Sequence, residues 1–133
     1  MARDLDSALA GVSVLIVEGE EASARLIAGT LERHGCATKI AASAEEALTL
    51  LALFAPRAIV LDLVLPRLSG LVLAEHLKRD PATRDIPIIA TSLFSVQDAA
   101  RIARDAGCAD YVRRPIDPAS FAGLLRNHLE RGQ

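Results

Sequence analysis

Aromatic residues are almost missing from this chain: its 133 residues include three Phe, one Tyr and no Trp. Proteins that bind single-stranded nucleic acid without sequence preference stack the bases on aromatic side chains, and this sequence offers few. An excess of one charge is missing too, because the formal net charge is only −2. Electrostatic attraction to nucleic acid or to an anionic membrane is therefore not expected.

Long apolar runs and patterned cysteines are also missing. No stretch approaches the roughly 20 apolar residues of a membrane-spanning helix, and the first residues lack the apolar segment of a secretory signal. Cys36 and Cys108 stand alone, without the spacing of a metal site. Isolated thiols fit a reducing compartment, and we expect a globular domain in the cytoplasm.

Apolar residues make up 51% of the chain and occur in two alternating patterns. Short continuous runs predict strands at Val12–Val17, Cys36–Ala41, Arg57–Leu61, Ile86–Ala90 and Ala109–Val112. Helical spacing and capping residues predict helices over about Glu20–His34, from Ser43 (with Glu46 completing a capping box), over Gly70–Arg79, over Ser95–Ala106 and over Asp117–Leu129. Such alternation predicts βαβ units and a parallel sheet with helices on both faces. We expect one α/β domain with five strands and five helices over residues 12–131, after an N-terminal extension at residues 1–11.

Asp62 has the most informative position, directly after the apolar run Ala58–Leu61 and four residues before Pro66. In an open α/β sheet, ligands bind beyond the carboxyl ends of the strands. Three other predicted strands lead into acidic, hydroxyl-bearing or cationic residues: Glu18-Gly19-Glu20, Thr91-Ser92 and Arg113-Arg114-Pro115. Because these ends share one edge of a parallel sheet, we expect the side chains to meet around Asp62.

Four segments, in this order and at these separations, resemble the receiver domain of bacterial two-component response regulators over essentially residues 12–130. They are Val-Leu-Ile-Val-Glu-Gly-Glu, Ile-Val-Leu-Asp-Leu-Val-Leu-Pro-Arg-Leu-Ser-Gly, Ile-Pro-Ile-Ile-Ala-Thr-Ser and Gly-Cys-Ala-Asp-Tyr-Val-Arg-Arg-Pro-Ile. The resemblance implies a doubly wound, flavodoxin-like sheet with strand order 2-1-3-4-5. It also implies the single-domain type of regulator. The Met1 start favours a free-standing protein over a piece of a hybrid kinase.

The same resemblance implies a role for each matching residue. Asp62 matches the aspartate that accepts a phosphoryl group from a phosphohistidine. Ser92 matches the hydroxyl residue that turns toward the phosphoryl group, and Tyr111 matches the aromatic switch on the fifth strand. Arg114 stands where the family has a lysine that pairs with phosphate. The Arg114–Pro115 peptide bond is implied to be cis.

Gly19 departs from the family pattern, in which two acidic residues end the first strand and help to hold Mg²⁺. Mg²⁺ requires near-octahedral oxygen ligands and is usually held by one or two carboxylates with waters and phosphate oxygens. The remaining candidate ligands are Glu18, Asp62, the backbone carbonyl of Val64 and, less directly, Glu20. We therefore predict that Mg²⁺ binding is weak or absent.

Arg114 also departs from the pattern, because a guanidinium keeps the charge of lysine but presents a planar fork. That fork could pair permanently with Asp62 or Glu18, or it could stabilise phosphoryl charge. Ordinary structural interpretations stay open for other positions. Glu20 could be a favourable charge at a helix N-terminus, and Tyr111 could be a half-buried strand residue.

These observations favour a single-domain response regulator that accepts a phosphoryl group on Asp62 from a histidine kinase or phosphotransferase. It would signal by protein contact, as a phosphoacceptor and not an enzyme. The alternative is a pseudo-receiver, a scaffold that acts without phosphorylation because Gly19 depletes the metal site. A third possibility is an unrelated small α/β protein of flavodoxin-like topology that binds a small ligand at the same edge. It is disfavoured because a phosphate-binding loop rich in Gly, Ser and Thr would be needed after the first strand, whereas the acidic segment Glu18-Gly19-Glu20 would repel phosphate.

The predicted partner surface comprises the fourth predicted helix, the fifth strand and the fifth predicted helix. The fourth predicted helix has an apolar run at Ala99, Ala100, Ile102 and Ala103. A homodimer through this face is a further hypothesis.

Overall fold

Strands and helices alternate along the computed structural model, which describes residues 4–65, 67–92 and 98–131. The strands are β1 (Ser13–Val17), β2 (Ala37–Ala41), β3 (Ala58–Asp62), β4 (Ile88–Ser92) and β5 (Asp110–Arg113). The helices are α1 (Leu5–Leu9), α2 (Glu21–Glu32), α3 (Ala44–Leu51), α4 (Gly70–Arg79), α5 (Ala99–Asp105) and α6 (Pro118–Arg131). No helix among these described residues is long and apolar enough to cross a membrane.

The five strands form one parallel sheet in the order β2-β1-β3-β4-β5. This confirms the predicted fold class and strand order. The central strands β3 and β4 are buried along their whole length, as continuous apolar runs in a two-sided parallel sheet require. Strand β2 lies at one edge, and most of its residues are exposed or half-buried.

Helices cover both faces of the sheet and divide the core into two clusters. One cluster joins the sheet to α1, α2 and α6, with Leu9, Ile16, Leu31 and Phe121 among its buried members. The other joins the sheet to α3, α4 and α5, with Leu15, Leu61, Leu73 and Ala103 among its members. Aliphatic side chains and alanines fill most of both clusters, as the scarcity of aromatic residues predicts.

Helix α1 was not expected, so the prediction of five helices was wrong: the described residues contain six. Leu9 is fully buried in the core, and the amide of Val12 donates to its carbonyl oxygen. The imidazole Nδ1 of His34 lies 2.7 Å from a carboxylate oxygen of Asp6, which joins α1 to the end of α2. This helix thus packs against the domain that was predicted to begin at residue 12, and the boundary itself stays a prediction.

Three strands end one or two residues later than predicted. Asp62 is the last residue of β3, Ser92 the last of β4, and β5 reaches Arg113. Backbone hydrogen bonds continue the ladder past the apolar runs: Leu63 N donates to the Thr91 carbonyl, and Arg114 N donates to the Ser92 carbonyl. Asp62 and Ser92 thus belong to the sheet itself, and Glu18 and Arg114 directly follow β1 and β5.

Serine side chains begin two of the helices. Ser43 accepts a hydrogen bond from the amide of Glu46, as the capping pattern predicts, and Ser69 accepts hydrogen bonds from the first turn of α4. Helix α5 begins at Ala99 with Asp98 at its N-cap. The predicted start at Ser95, and Pro66, lie outside the described residues.

Candidate functional site

A guanidinium joins two carboxylates at the carboxyl edge of the sheet. Arg114 Nη1 lies 2.5 Å from Glu18 Oε2, and Arg114 Nη2 lies 3.1 Å from Asp62 Oδ2. All three side chains are buried, with at most 6% of any of them exposed. Residues up to 96 positions apart in sequence therefore meet in one contact, because β1, β3 and β5 end at the same edge.

Backbone amides engage the remaining oxygen of each carboxylate. Glu20 N donates to Glu18 Oε1 at 3.0 Å, and Val64 N donates to Asp62 Oδ1 at 2.9 Å. Each of the four carboxylate oxygens in this cluster thus has a protein donor. Two turns hold the carboxylates in place, and the guanidinium bridges them.

Burial makes Glu18 an unusual carboxyl group. Loss of solvent raises the pKa of Glu18 to about 7, and the neighbouring Asp62 carboxylate adds to the rise. The amide of Glu20 and the charge of Arg114 oppose it. The Glu18 carboxyl group therefore gains or loses its proton near neutral pH.

The hydroxyl-bearing residues of β4 lie beside this cluster. Thr91 is opposite Asp62 in the ladder, and Ser92, the next residue, is opposite Arg113. Both side chains are buried, and Thr91 Oγ1 has no hydrogen-bond partner among the described residues. The sheet thus brings Ser92 to the same rim as Asp62.

Strand β5 contributes the other sequence-predicted residues. Tyr111 is half-buried and lies opposite Ala90 in the ladder. The Arg114–Pro115 peptide bond is cis. Arg113 is exposed, whereas Arg114 is buried, so only the second arginine of the pair reaches the carboxylates.

The candidate metal ligands are only partly brought together. Glu18 and Asp62 meet, but the Glu20 carboxylate accepts the hydroxyl of Ser23 at 2.6 Å, at the start of α2. Val64 directs its N–H toward Asp62. The described residues contain no group of three or more His, Cys, Asp or Glu side chains suited to a metal. Two carboxylates already bridged by a cation do not match the open oxygen set that Mg²⁺ takes.

Gly70 lies directly against the chain beside Asp62. In the sequence it ends the Asp62 segment of the family resemblance and begins a predicted helix, but no role at the site is assigned to it there. Its amide donates to the Leu63 carbonyl, and a Cβ atom there would lie 2.1 Å from the Asp62 carbonyl oxygen. The first turn of α4 can approach the chain beside Asp62 only without a side chain at position 70. A glycine directly after a serine N-cap was the signal available in the sequence.

The family model for the response regulator receiver domain matches residues 14–126. This chain therefore belongs to the receiver-domain family of two-component signalling.

Curated relatives support the same conclusion. The chain is 34% identical over 117 residues to the polar-differentiation response regulator DivK of Brucella ovis, a match that covers 88% of this chain and 95% of the relative. The DivK protein of Brucella anthropi is 33% identical with the same coverage. The chain is thus DivK-like over almost the full length of these regulators.

Solved structures share the fold. A response regulator from Chloroflexus aurantiacus superposes with a TM-score of 0.87 and 28% identity, covering 91% of this chain and 99% of that one. The receiver domain of a Pseudomonas aeruginosa sensor histidine kinase gives a TM-score of 0.83 and 25% identity with the same coverage. That domain has a magnesium ion coordinated in its active-site cleft.

Proposed function

We propose that Asp62 is the phosphoacceptor of a DivK-like single-domain response regulator. One observation carries the proposal: the carboxylate of Asp62 ends β3 within 3.1 Å of a buried cation, Arg114 Nη2. Receiver domains interact with histidine kinases or phosphotransferases, so the phosphoryl donor is a phosphohistidine on such a partner. The proposed role is that of a phosphoacceptor and not of an enzyme with a separate substrate.

The chemistry is an in-line displacement at phosphorus. A carboxylate oxygen of Asp62 forms the new P–O bond while the P–N bond of the phosphohistidine breaks. The electron pair of that bond remains on the imidazole nitrogen, which then takes up a proton. Arg114 offsets the added negative charge, as arginines do in other phosphoryl transfers.

The residues around Asp62 hold the product and transmit the change. The Val64 N–H fixes one oxygen of Asp62. Ser92, at the end of the adjacent strand, donates its hydroxyl to a phosphoryl oxygen, and Tyr111 responds as the aromatic switch. The downstream protein binds the face of α5, β5 and α6, which is also the proposed homodimer surface. We place the protein in the cytoplasm.

In this proposal the site binds Mg²⁺ weakly or not at all. Gly19 lacks the carboxylate that the family pattern has beside Glu18, and Glu20 turns to Ser23. Glu18, Asp62 and the backbone carbonyl of Val64 are the ligands that remain for a weakly held ion. No step of the transfer is assigned to a metal.

The pseudo-receiver is the second candidate, and the bridge itself favours it. Arg114 already pairs with both carboxylates, so the unphosphorylated site holds its own counter-charge. A scaffold locked in this arrangement would bind its partner without any phosphoryl group.

Intact-mass analysis separates the two candidates. The chain is incubated with acetyl phosphate, and separately with phosphorylated histidine phosphotransferases, each with and without Mg²⁺. We expect the mass of one added phosphoryl group, lost in Asp62→Asn and retained in Asp105→Asn, a change at an exposed carboxylate of α5. If the protein gains no mass with any donor, the proposal that Asp62 is a phosphoacceptor is rejected and the pseudo-receiver remains.

A further inference from the structure

We infer that Arg114 is the resident cation of this site and takes the place of a divalent metal. The inference concerns the unphosphorylated protein and goes beyond the proposed function. It rests on one juxtaposition: a single guanidinium lies between the Glu18 and Asp62 carboxylates and contacts both.

The donors around the two carboxylates support this assignment. The oxygens that face each other, Glu18 Oε2 and Asp62 Oδ2, are both engaged by Arg114. The outer oxygens accept the backbone amides of Glu20 and Val64. A metal ion could reach the facing oxygens only by displacing the guanidinium, which is buried and held at two points.

The charge balance points the same way. Two carboxylates and one guanidinium sum to a formal charge of −1 when all are ionised, and Gly19 adds none. A divalent ion gains little attraction from such a site, because Arg114 already offsets one of its two negative charges.

The identity of the cation matters as much as its charge. A guanidinium is a planar fork that engages two acceptors through separate nitrogens, whereas an ammonium is a point charge on a flexible stem. Arg114 uses Nη1 for one carboxylate and Nη2 for the other. Its Nε is buried and has no hydrogen-bond partner among the described residues, so the Nε–H group is available to an incoming anionic oxygen.

Paramagnetic broadening by Mn²⁺, a stand-in for Mg²⁺, tests the inference without any phosphorylation. Amide signals are followed in a Mn²⁺ titration of the wild type, of Gly19→Asp/Arg114→Lys, and of the matched control Gly19→Asp/Arg113→Lys. Arg113 is the exposed neighbour of Arg114. We expect saturable broadening at residues 18–20 and 62–64 only in the Arg114→Lys double variant.

Two results would overturn the inference. Saturable broadening at these residues in the wild type would show that the guanidinium does not exclude a metal. A folded Gly19→Asp/Arg114→Lys variant that binds no Mn²⁺ would show that Arg114 is not what keeps the metal out. The wild-type titration decides the first point even where the double variant fails to fold.

The Mn²⁺ titration and the phosphorylation experiment can each fail without the other. A wild type that binds Mn²⁺ yet gains a phosphoryl group on Asp62 loses the inference and keeps the function. A wild type that excludes Mn²⁺ yet is never phosphorylated keeps the inference and loses the function. Where both hold, phosphorylation proceeds at the same rate with and without EDTA.

Discussion

Gly70 lies so close to Asp62 that a Cβ atom at position 70 would be 2.1 Å from the Asp62 carbonyl oxygen and 2.7 Å from the Cα atom of Leu63. Both neighbours are backbone atoms of the segment that carries the proposed phosphoacceptor. They cannot swing aside as a flexible side chain can. The helix α4 must therefore retreat if any side chain is introduced.

Gly70→Ala is expected to destabilise the protein by more than about 2 kcal/mol and to weaken phosphorylation of Asp62. Gly123→Ala is the matched control, because a Cβ atom at that position in α6 meets nothing within 4 Å. Removing a helical glycine there should stabilise the protein by about 0.4–1 kcal/mol. Urea denaturation measures both changes, and equal effects from the two would contradict the close approach.

Ionisation of Glu18 is expected to make the protein less stable as pH rises. Burial raises the pKa of Glu18 from 4.5 to about 7 in the folded chain, so the folded state keeps a proton that the unfolded state releases. The contribution is fully present below about pH 4.5 and is lost as pH rises through about 7. This contribution to the free energy of unfolding is on the order of 1–3 kcal/mol.

Glu18→Gln removes this titration and keeps the shape of the side chain. Free energies of unfolding, measured from about pH 5 to about pH 8, should fall less steeply in the variant than in the wild type. Parallel curves for the two proteins would mean that Glu18 ionises in the folded state as it does in the unfolded chain.

Leu9→Ala tests whether α1 is part of the domain. Leu9 is fully buried, and loss of its side chain from the core should cost about 2–5 kcal/mol. Leu53→Ala is the control: that side chain is 79% exposed and its loss should change stability by less than about 0.5 kcal/mol. A cost for Leu9→Ala as small as that of the control would show that α1 detaches in solution.

Thr91→Val addresses a buried hydroxyl without a partner among the described residues. Replacing an unsatisfied buried hydroxyl by a methyl group of similar size should be neutral or stabilising by up to about 1 kcal/mol.

Thr83→Val gives the opposite case, because Thr83 Oγ1 donates to the Leu77 carbonyl at 2.7 Å. That variant should lose about 1–3 kcal/mol through the unpaired carbonyl. Thermal unfolding of the two variants side by side provides the measurement. A large loss for Thr91→Val would mean that its hydroxyl is hydrogen-bonded in solution.

Much of the fold could be predicted because its signals are local. Apolar runs such as Ala58–Leu61 and capping serines such as Ser43 act through neighbours in sequence, and the parallel sheet follows from their alternation. The meeting of Glu18, Asp62 and Arg114 could also be expected, since strand ends converge at one edge. Helix α1 was missed because the burial of Leu9 depends on distant partners in the core.

The finer geometry of the site could not be predicted. Whether Arg114 pairs with one carboxylate or with both depends on side-chain positions within about 1 Å, which no sequence pattern encodes. The close approach of Gly70 to Asp62 and the raised pKa of Glu18 likewise arise from packing between separate elements. The predicted strands ended one or two residues too soon, because polar residues at the rim, such as Ser92, still take part in the hydrogen-bond ladder of the sheet.

The outer position of β2 has a consequence for association between molecules. An edge strand offers unpaired backbone groups to a strand of another chain, and a lysine on the edge opposes such pairing. Lys39 lies on β2 with its ammonium 5.6 Å from the centre of the Phe54 ring. A strand of another chain that paired with β2 would have to remove water from that charge, which disfavours extension of the sheet at this edge.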